Sequence, residues 1–372
     1  MMGARKQVSF LIIFFALTLS KYQNLTIMKK LIFLLAILSL ASCQSSKDVP
    51  EVLAAPPEFY LGSWALTIDY DKSNAGWLEV RQEDGYLDAD LLWRSGSVVP
   101  ADFVFVAEGN LFVTRGEDIV RKKDAEGNPL RVHHTMSWLN IKKVDDNELF
   151  GMAFFPGRDG VKFQKVSFKG KRNPPLGEAP DMQAIQYGDP VQLIAENDLS
   201  GWKLLEEKAE NGWSVENGVL ENNPVHAEKK EHTQYGNLRT RDTFEDFNLT
   251  LDVKIPEGGN SGVYLKGLYE VQVYDTYGKE LDSHHMGALY SRITPSVNAE
   301  KPAGEWQQLD ITLYKRHLTV ILNGIKIIDN QAVKGITGGA MTSDEFTPGP
   351  IYLQGDHGQV WYRNMVLTPI VE

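Results

Sequence analysis

Along Gly258–Asp275 apolar and polar positions alternate residue by residue, which predicts two neighbouring strands, because successive side chains in a strand point to opposite faces. Val263 and Leu265 fall on one face of the first strand, Tyr264 and Lys266 on the other. In the second, Val271 and Val273 stand opposite Glu270, Gln272 and Tyr274. Gly349–Gly358 repeats the pattern, with Ile351 and Leu353 alternating against Tyr352, Gln354 and Asp356. If the three strands share a sheet, one face joins a core. The other gathers aromatic, amide and carboxylate groups into a floor suited to a polar ligand such as a sugar. The same alternation also describes an ordinary half-exposed antiparallel sheet, whose outward Glu and Gln are simply solvated.

The rest of the C-terminal half reads the same way. Phe247, Leu249, Leu251, Val253 and Ile255 make one apolar face, and Leu318–Asp329 is a hairpin in which Asn323-Gly324 is a strong two-residue turn signal. Further strands at Trp213–Leu220 and Trp306–Tyr314 predict a two-sheet jelly roll over residues 189–372. From Phe59 to Phe168 short alternating segments are separated by turns such as Glu83-Asp84-Gly85 and Asp145-Asp146-Asn147. About eight strands at hairpin spacing predict a small antiparallel β-barrel or sandwich over 58–170. Gly62-Ser63-Trp64 resembles the opening of lipocalin-type barrels. The fold class is therefore all-β, and the basic, Pro-rich run Lys169–Pro175 leads into a linker over 171–188.

Composition narrows the partners. The chain has 372 residues, a formal charge of −11 and a pI near 5.3, which argues against nucleic acid because nothing would neutralise phosphates. The first 42 residues nevertheless carry Arg5, Lys6, Lys21, Lys29 and Lys30 and no acidic residue. Within them Met28-Lys29-Lys30, the apolar run Leu31–Leu38 and Leu40-Ala41-Ser42-Cys43 have the layout of a secretory signal, and the run is too short to span a bilayer. Leu-Ala-Ser-Cys resembles the bacterial lipobox, which implies lipidation of Cys43, the one cysteine of the chain. Residues 1–43 are expected to be a leader and Gln44–Pro57, with three prolines, a flexible tether. The expected location is the bacterial cell envelope, with the membrane engaged through that lipid.

A longer set of motifs, Leu-Ser-Gly-Trp202, Trp213-x-Val-x-x-Gly-Val-Leu, Gly-Gly-Asn-Ser-Gly-Val263, Tyr269-Glu-Val-Gln-Val-Tyr-Asp, Gly-Ala-Leu-Tyr290, Gly-Glu-Trp306 and Gly-Pro-Ile-x-Leu-Gln-Gly-Asp-His-Gly358, occurs in order across the C-terminal half. In its sum this half resembles the 3-keto-disaccharide hydrolase family. The resemblance implies a concanavalin-like jelly roll and cleavage of a glycoside already oxidised to a ketone at C3, by 1,2-elimination and hydration of the resulting 2-hydroxy-3-ketoglucal. The ketone acidifies the C2 hydrogen, so one base suffices to start the reaction. On this resemblance Glu270 or His357 is the base at C2. Gln272, Lys266 and Gln354 are candidate donors to the enolate oxygen, with a divalent cation held by Asp275, Asp356 or His285 as the alternative. Tyr264, Tyr274, Tyr290, Trp306 and Tyr352 are expected to contact the sugar, and Asn260 and Arg363 to bind its hydroxyls.

Two competitors follow from the same residues. Conventional jelly-roll glucanases carry Glu-x-Asp-x-x-Glu on one concave strand, with carboxylates about 5 to 5.5 Å apart for retention. Here the corresponding run is Glu270-Val-Gln272-Val-Tyr-Asp275, with an amide at its centre and Asp275 of opposite parity. A non-catalytic carbohydrate-binding module is the second, since aromatic platforms and hydrogen bonds bind sugars without any base. His284-His285 and the stretch Gly335–Pro348 are expected as loops beside the cleft.

Overall fold

The computed structural model describes residues 55–70, 74–225 and 233–371. The expected leader, Cys43 and most of the tether lie outside the described residues. After a short 3-10 turn at Pro57–Tyr60 come β1 (Gly62–Ile68), β2 (Ala75–Gln82), β3 (Leu87–Trp93), β4 (Val99–Pro100), β5 (Phe103–Ala107), β6 (Asn110–Lys123), β7 (Pro129–Lys143), β8 (Glu148–Pro156) and β9 (Phe163–Arg172). Their order is β2-β1-β9-β8-β7-β6-β5-β3-β4, and a β2–β3 pairing closes the sheet into a barrel. Every second residue turns inward: Trp64, Leu66, Leu78, Val80, Val113, Ile141 and Phe168 fill the interior. β6 and β7 run on past the apolar alternation into a polar extension that carries Arg121, Lys122 and Lys123, where pairing continues through register shifts.

The second half contributes β10 (Gln186–Tyr187), β11 (Val191–Gln192), β12 (Trp202–Leu204), β13 (Trp213–Glu216), β14 (Val219–Asn222), β15 (Leu238–Thr240), β16 (Phe247–Lys254), β17 (Asn260–Leu265), β18 (Tyr269–Tyr274), β19 (Gln307–Tyr314), β20 (His317–Leu322), β21 (Ile325–Ala332), β22 (Tyr352–Leu353) and β23 (Val360–Val371). One sheet follows β13-β14-β23-β16-β19-β20-β21, with β10 and β11 also paired to β23, and the other follows β12-β15-β22-β17-β18. This is the expected concanavalin-like jelly roll. The core between the sheets takes Phe247, Leu249, Leu251 and Val253 from β16, Val263 and Leu265 from β17, Val271 and Val273 from β18 and Leu353 from β22. The β20–β21 hairpin turns at Asn323-Gly324, both at positive φ, as that dipeptide requires.

Barrel and jelly roll belong to one compact unit. Trp77 and Leu92 of the barrel join the jelly-roll core, and the Arg292 guanidinium lies 4.2 Å from the Trp77 ring centroid. The loop after β3 reaches across: Ser97 Oγ pairs with His284 Nε2 at 2.8 Å, Val98 N donates to Ser291 Oγ at 2.8 Å, and the backbone of Gly96 touches Gly338 so closely that a Cβ on Gly338 would meet the Gly96 oxygen at 2.1 Å.

Candidate active site

The outward face of the five-stranded sheet is an array set by register. Arg239 pairs with Tyr352, Tyr352 with Tyr264 and Tyr264 with Glu270, so these four side chains form one cross-strand row. One step along the strands, Gln354 N donates to Gly262 O at 3.0 Å and Gly262 faces Gln272, giving a second row. Asn260 opposite Tyr274 begins a third. Neighbouring strands lie about 4.8 Å apart and successive rows about 6.8 Å apart, so adjacent rows are within reach of one sugar unit. Gly262 leaves a hollow in the middle of the array, and the Glu270 side chain leans into it: a Cβ at 262 would meet Glu270 Oε1 at 2.3 Å.

Glu270 is only 4% exposed. Burial is the main cause that pushes its carboxyl up from 4.5 to about 8, while the bond with Tyr264 acts in the opposite direction. Tyr264 Oη lies 2.8 Å from Glu270 Oε2 and 2.7 Å from the Gly338 carbonyl oxygen. Tyr352 stacks on Tyr264 with ring centroids 3.8 Å apart and donates to Gly339 O at 2.7 Å. Burial raises both phenols well above their ordinary range, so both keep their protons. The segment carrying Gly338 and Gly339 is anchored by Thr337, whose Oγ1 accepts from Glu270 N at 2.9 Å, and by Met341 N donating to Gly267 O at 2.8 Å.

Three polar atoms of this face, Arg239 Nε, Asn260 Oδ1 and Gln354 Oε1, are buried without a hydrogen-bond partner. Such atoms each cost about 1–3 kcal/mol, so their clustering on one face beside the hollow marks a place where a polar ligand completes the bonding.

The structure thus brings together Glu270, Gln272, Gln354, Asn260, Tyr264, Tyr274 and Tyr352. Tyr290 extends the first row from the sheet edge, its N–H donating to Glu270 O at 2.9 Å. His357 is exposed in the turn between β22 and β23, and Asp356 in the same turn accepts from Tyr235 N at 2.7 Å.

Other expectations are corrected. Lys266 adopts positive φ just beyond β17, so its ammonium swings to the Glu245 carboxylate and, at 3.2 Å, the Glu345 carbonyl instead of the hollow. Trp306 and Arg363 stand on the outer face of the other sheet, where Arg363 stacks 4.0 Å from the Trp306 centroid and bonds Asp252 at 3.0 Å. The family resemblance had assigned them to the sugar, and strand order puts them on the other sheet. Asp275 accepts from Gly258 N at 2.8 Å, and His285 lines a recess with Thr276 and Glu300. Asp275, Asp356 and His285 do not converge, and no cluster of three His, Cys, Asp or Glu side chains suited to a metal ion occurs among the described residues. Arg239 and the Gly338–Gly339 carbonyls were not foreseen. A three-residue strand has too little alternation to read, and backbone groups leave no mark in a side-chain pattern.

Residues 189–368 match the model of a family described as the 3-keto-alpha-glucoside-1,2-lyase-like domain. A 3-keto-disaccharide hydrolase of Bacteroides thetaiotaomicron is 25% identical over 145 residues, covering 32% of this chain and 50% of that protein, so the match spans half the length of this curated relative. A proposed glycosyl hydrolase from Parabacteroides distasonis, known from its crystal structure, is 25% identical with a TM-score of 0.40 over 57% of this chain and 95% of its own. A second from that organism is 27% identical with a TM-score of 0.33 over 45% and 98%. At such scores the architecture rests on the sheets themselves. The C-terminal half of the chain, from residue 189 to 368, is a member of the 3-keto-alpha-glucoside-1,2-lyase-like domain family.

Proposed function

We propose that the protein cleaves 3-keto-glucosides or 3-keto-disaccharides by 1,2-elimination followed by hydration, with Glu270 as the proton-transferring group. The observation that carries this reading is that Glu270 is the one carboxylate carried by the strands of the five-stranded sheet, and that it is buried. Oxocarbenium chemistry in a conventional glycosidase needs two carboxylates. Elimination next to a ketone needs one base, and a carboxyl raised to about 8 is a stronger base, once ionised, than an ordinary one.

In the reaction Glu270 takes the C2 hydrogen as a proton, the C2–H electrons form the enolate, and collapse of the enolate expels the C1 oxygen as the alcohol or sugar, which takes up a proton. Water then adds across C1=C2 of the ketoglucal, hydroxide at C1 and a proton at C2, and yields the free 3-keto sugar. Gln272 and Gln354 flank the hollow as neutral donors for the enolate oxygen. Tyr264 and Tyr352 form the wall against which the ring rests, and Asn260 and Arg239 supply hydroxyl partners. Lipid anchoring through Cys43 in the cell envelope is part of the same proposal. Substrate would then be met outside the cytoplasm.

The test is incubation of the protein with a 3-keto-glucoside and with its unoxidised parent, following the ketoglucal by ultraviolet absorbance. The ketoside should be consumed through a transient ketoglucal and the parent left intact. Cleavage of the parent alone would overturn the reading in favour of conventional hydrolysis.

A further inference from the structure

The barrel carries a surface that the cleavage chemistry does not use. Val104, Val113, Leu139, Ala153 and Val166 of β5–β9 turn into the barrel, so their neighbours in sequence turn out of it. Register sets these outward residues in cross-strand rows. One is Phe103–Thr114–Trp138–Phe154–Lys165, the next is Phe105–Phe112–Asn140–Met152–Ser167, and the third is Lys142–Phe150–Lys169. Phe163 lies beside the first row, its ring centroid 5.9 Å from that of Phe154, and Met136 stands two residues before Trp138 on β7. Phe103, Phe163 and Met136 are 62, 56 and 52% exposed, which is far from the burial such side chains reach in a core. The chain has a formal charge of −11, yet the described residues of these three rows include three lysines and no Asp or Glu. A contiguous apolar face of this kind marks an interaction surface.

Two observations choose the partner. Phe105 and Phe112 stack with centroids 4.9 Å apart at 9°, and Trp138 and Phe154 at 4.9 Å and 12°, so the ring faces on which a sugar would lie are turned toward each other and the ring edges meet the outside. The Lys165 ammonium lies 5.7 Å from the Phe154 centroid. Aromatic edges beside lysines, with no acid among them, suit the headgroup level of a bilayer that contains anionic phospholipid. The second observation is where the chain enters. Ala55 N donates to Gly109 O at 3.4 Å, in the turn between β5 and β6 next to the Phe105–Phe112 pair, so the chain toward Cys43 leaves the barrel at the margin of this face. Cys43 precedes Ala55 by twelve residues, a span of at most about 40 Å. Resting on the reading of Cys43 as the lipidated residue, we propose that this face of the barrel lies on the membrane, with its aromatic residues at headgroup level and Lys142, Lys165 and Lys169 against anionic phospholipid. The barrel is then a second point of attachment, which binds by apolar contact and charge where the lipid binds by insertion.

Lysine acetylation of the full chain, read by mass spectrometry after digestion, reports on the face directly. It is run with and without vesicles of phosphatidylethanolamine containing a minority of phosphatidylglycerol. On vesicles Lys165 and Lys169 should be acetylated several-fold more slowly, while Lys203, exposed on β12 of the jelly roll, keeps its rate. The double substitution Phe103→Ser and Phe163→Ser removes two exposed rings that no core depends on, and it should return Lys165 and Lys169 to their rates without vesicles. Unchanged rates at Lys165 and Lys169 on vesicles, or equal slowing at Lys203, overturn the proposal. So does slowing that grows with protein concentration when no vesicles are present, which makes a second copy of the chain the occupant. The N-terminal peptide of the same digest carries or lacks the mass of the lipid, so the anchor is judged separately. Slowing at the face without the lipid supports the face and removes the anchor; lipid without slowing keeps the anchor and overturns the face.

Discussion

Burying an acid without a cation has a thermodynamic signature, and Glu270→Gln reads it. The folded carboxyl sits at about 8 and the ordinary value is 4.5. Below about pH 4.5 folded and unfolded chains both carry the proton, and the full contribution to stability is present. Between 4.5 and about 8 the unfolded chain releases the proton while the folded one retains it, so stability falls as pH rises, and above about 8 it falls no further. At about 1.4 kcal/mol for each tenfold change in proton affinity, that interval is worth about 5 kcal/mol. The amide of Glu270→Gln fills the same volume, keeps an oxygen for the Tyr264 hydroxyl and does not titrate. Urea unfolding of both proteins, followed by tryptophan fluorescence at close pH intervals from 4 to 9, isolates Glu270 because every other titrating group is common to both. The stability difference should swing toward the variant by several kcal/mol across the range. Parallel curves for the two proteins would falsify the argument that Glu270 is held as a buried neutral acid.

Gly262→Ala places a methyl 2.3 Å from Glu270 Oε1 while the strand itself accepts alanine, so turnover of a 3-keto-glucoside should drop about a hundredfold with little loss of stability; unchanged kcat/KM would show that the hollow is not where the reaction occurs. Trp306→Ala removes an aromatic residue from the opposite sheet and should leave kcat and KM as they are, whereas a raised KM would restore the sequence-based expectation that it binds sugar. Arg316→Met leaves the buried Glu345 carboxylate without its 3.0 Å partner and should cost about 3–5 kcal/mol in denaturant unfolding; a cost under about 1 kcal/mol would mean that the pair is not desolvated.

Much of this was legible in the chain. Strict alternation disclosed both units, since a half-buried strand must present every second residue to a core, and it assigned Glu270, Gln272, Tyr264 and Tyr352 to one face. Parity stops at the strand. It gives the side on which Trp306 and Arg363 stand but not the sheet to which their strands belong, and that choice is made by strand order, a long-range property. Lys266 failed for a local reason: a residue at positive φ leaves the pleat, and its side chain leaves the face that alternation assigns. The contact of the barrel with this segment was illegible because it is made through the backbone of Gly96, Gly338 and Gly339, residues whose contribution is the absence of a side chain.

Two glutamates are buried among the described residues of the jelly roll, and the contrast between them argues which one does chemistry. Glu345 is 1% exposed, and its bonds are complete: Asn173 donates to Oε1 at 3.0 Å, and Tyr269 and Arg316 donate to Oε2 at 2.9 and 3.0 Å. It ties barrel to jelly roll as a carboxylate with a cation beside it, which is how a fold retains a buried charge. Glu270, also buried, has one hydrogen-bond partner, Tyr264, which also meets the Gly338 carbonyl, has no cation bonded to it, and shares its face with two amide oxygens and the Arg239 Nε that have nothing to bond. A sequence selected only for stability would replace such a group with an apolar residue of similar size at a gain in free energy. Its presence at the floor of a hollow made by Gly262 is accounted for by a proton that has to be given and taken there.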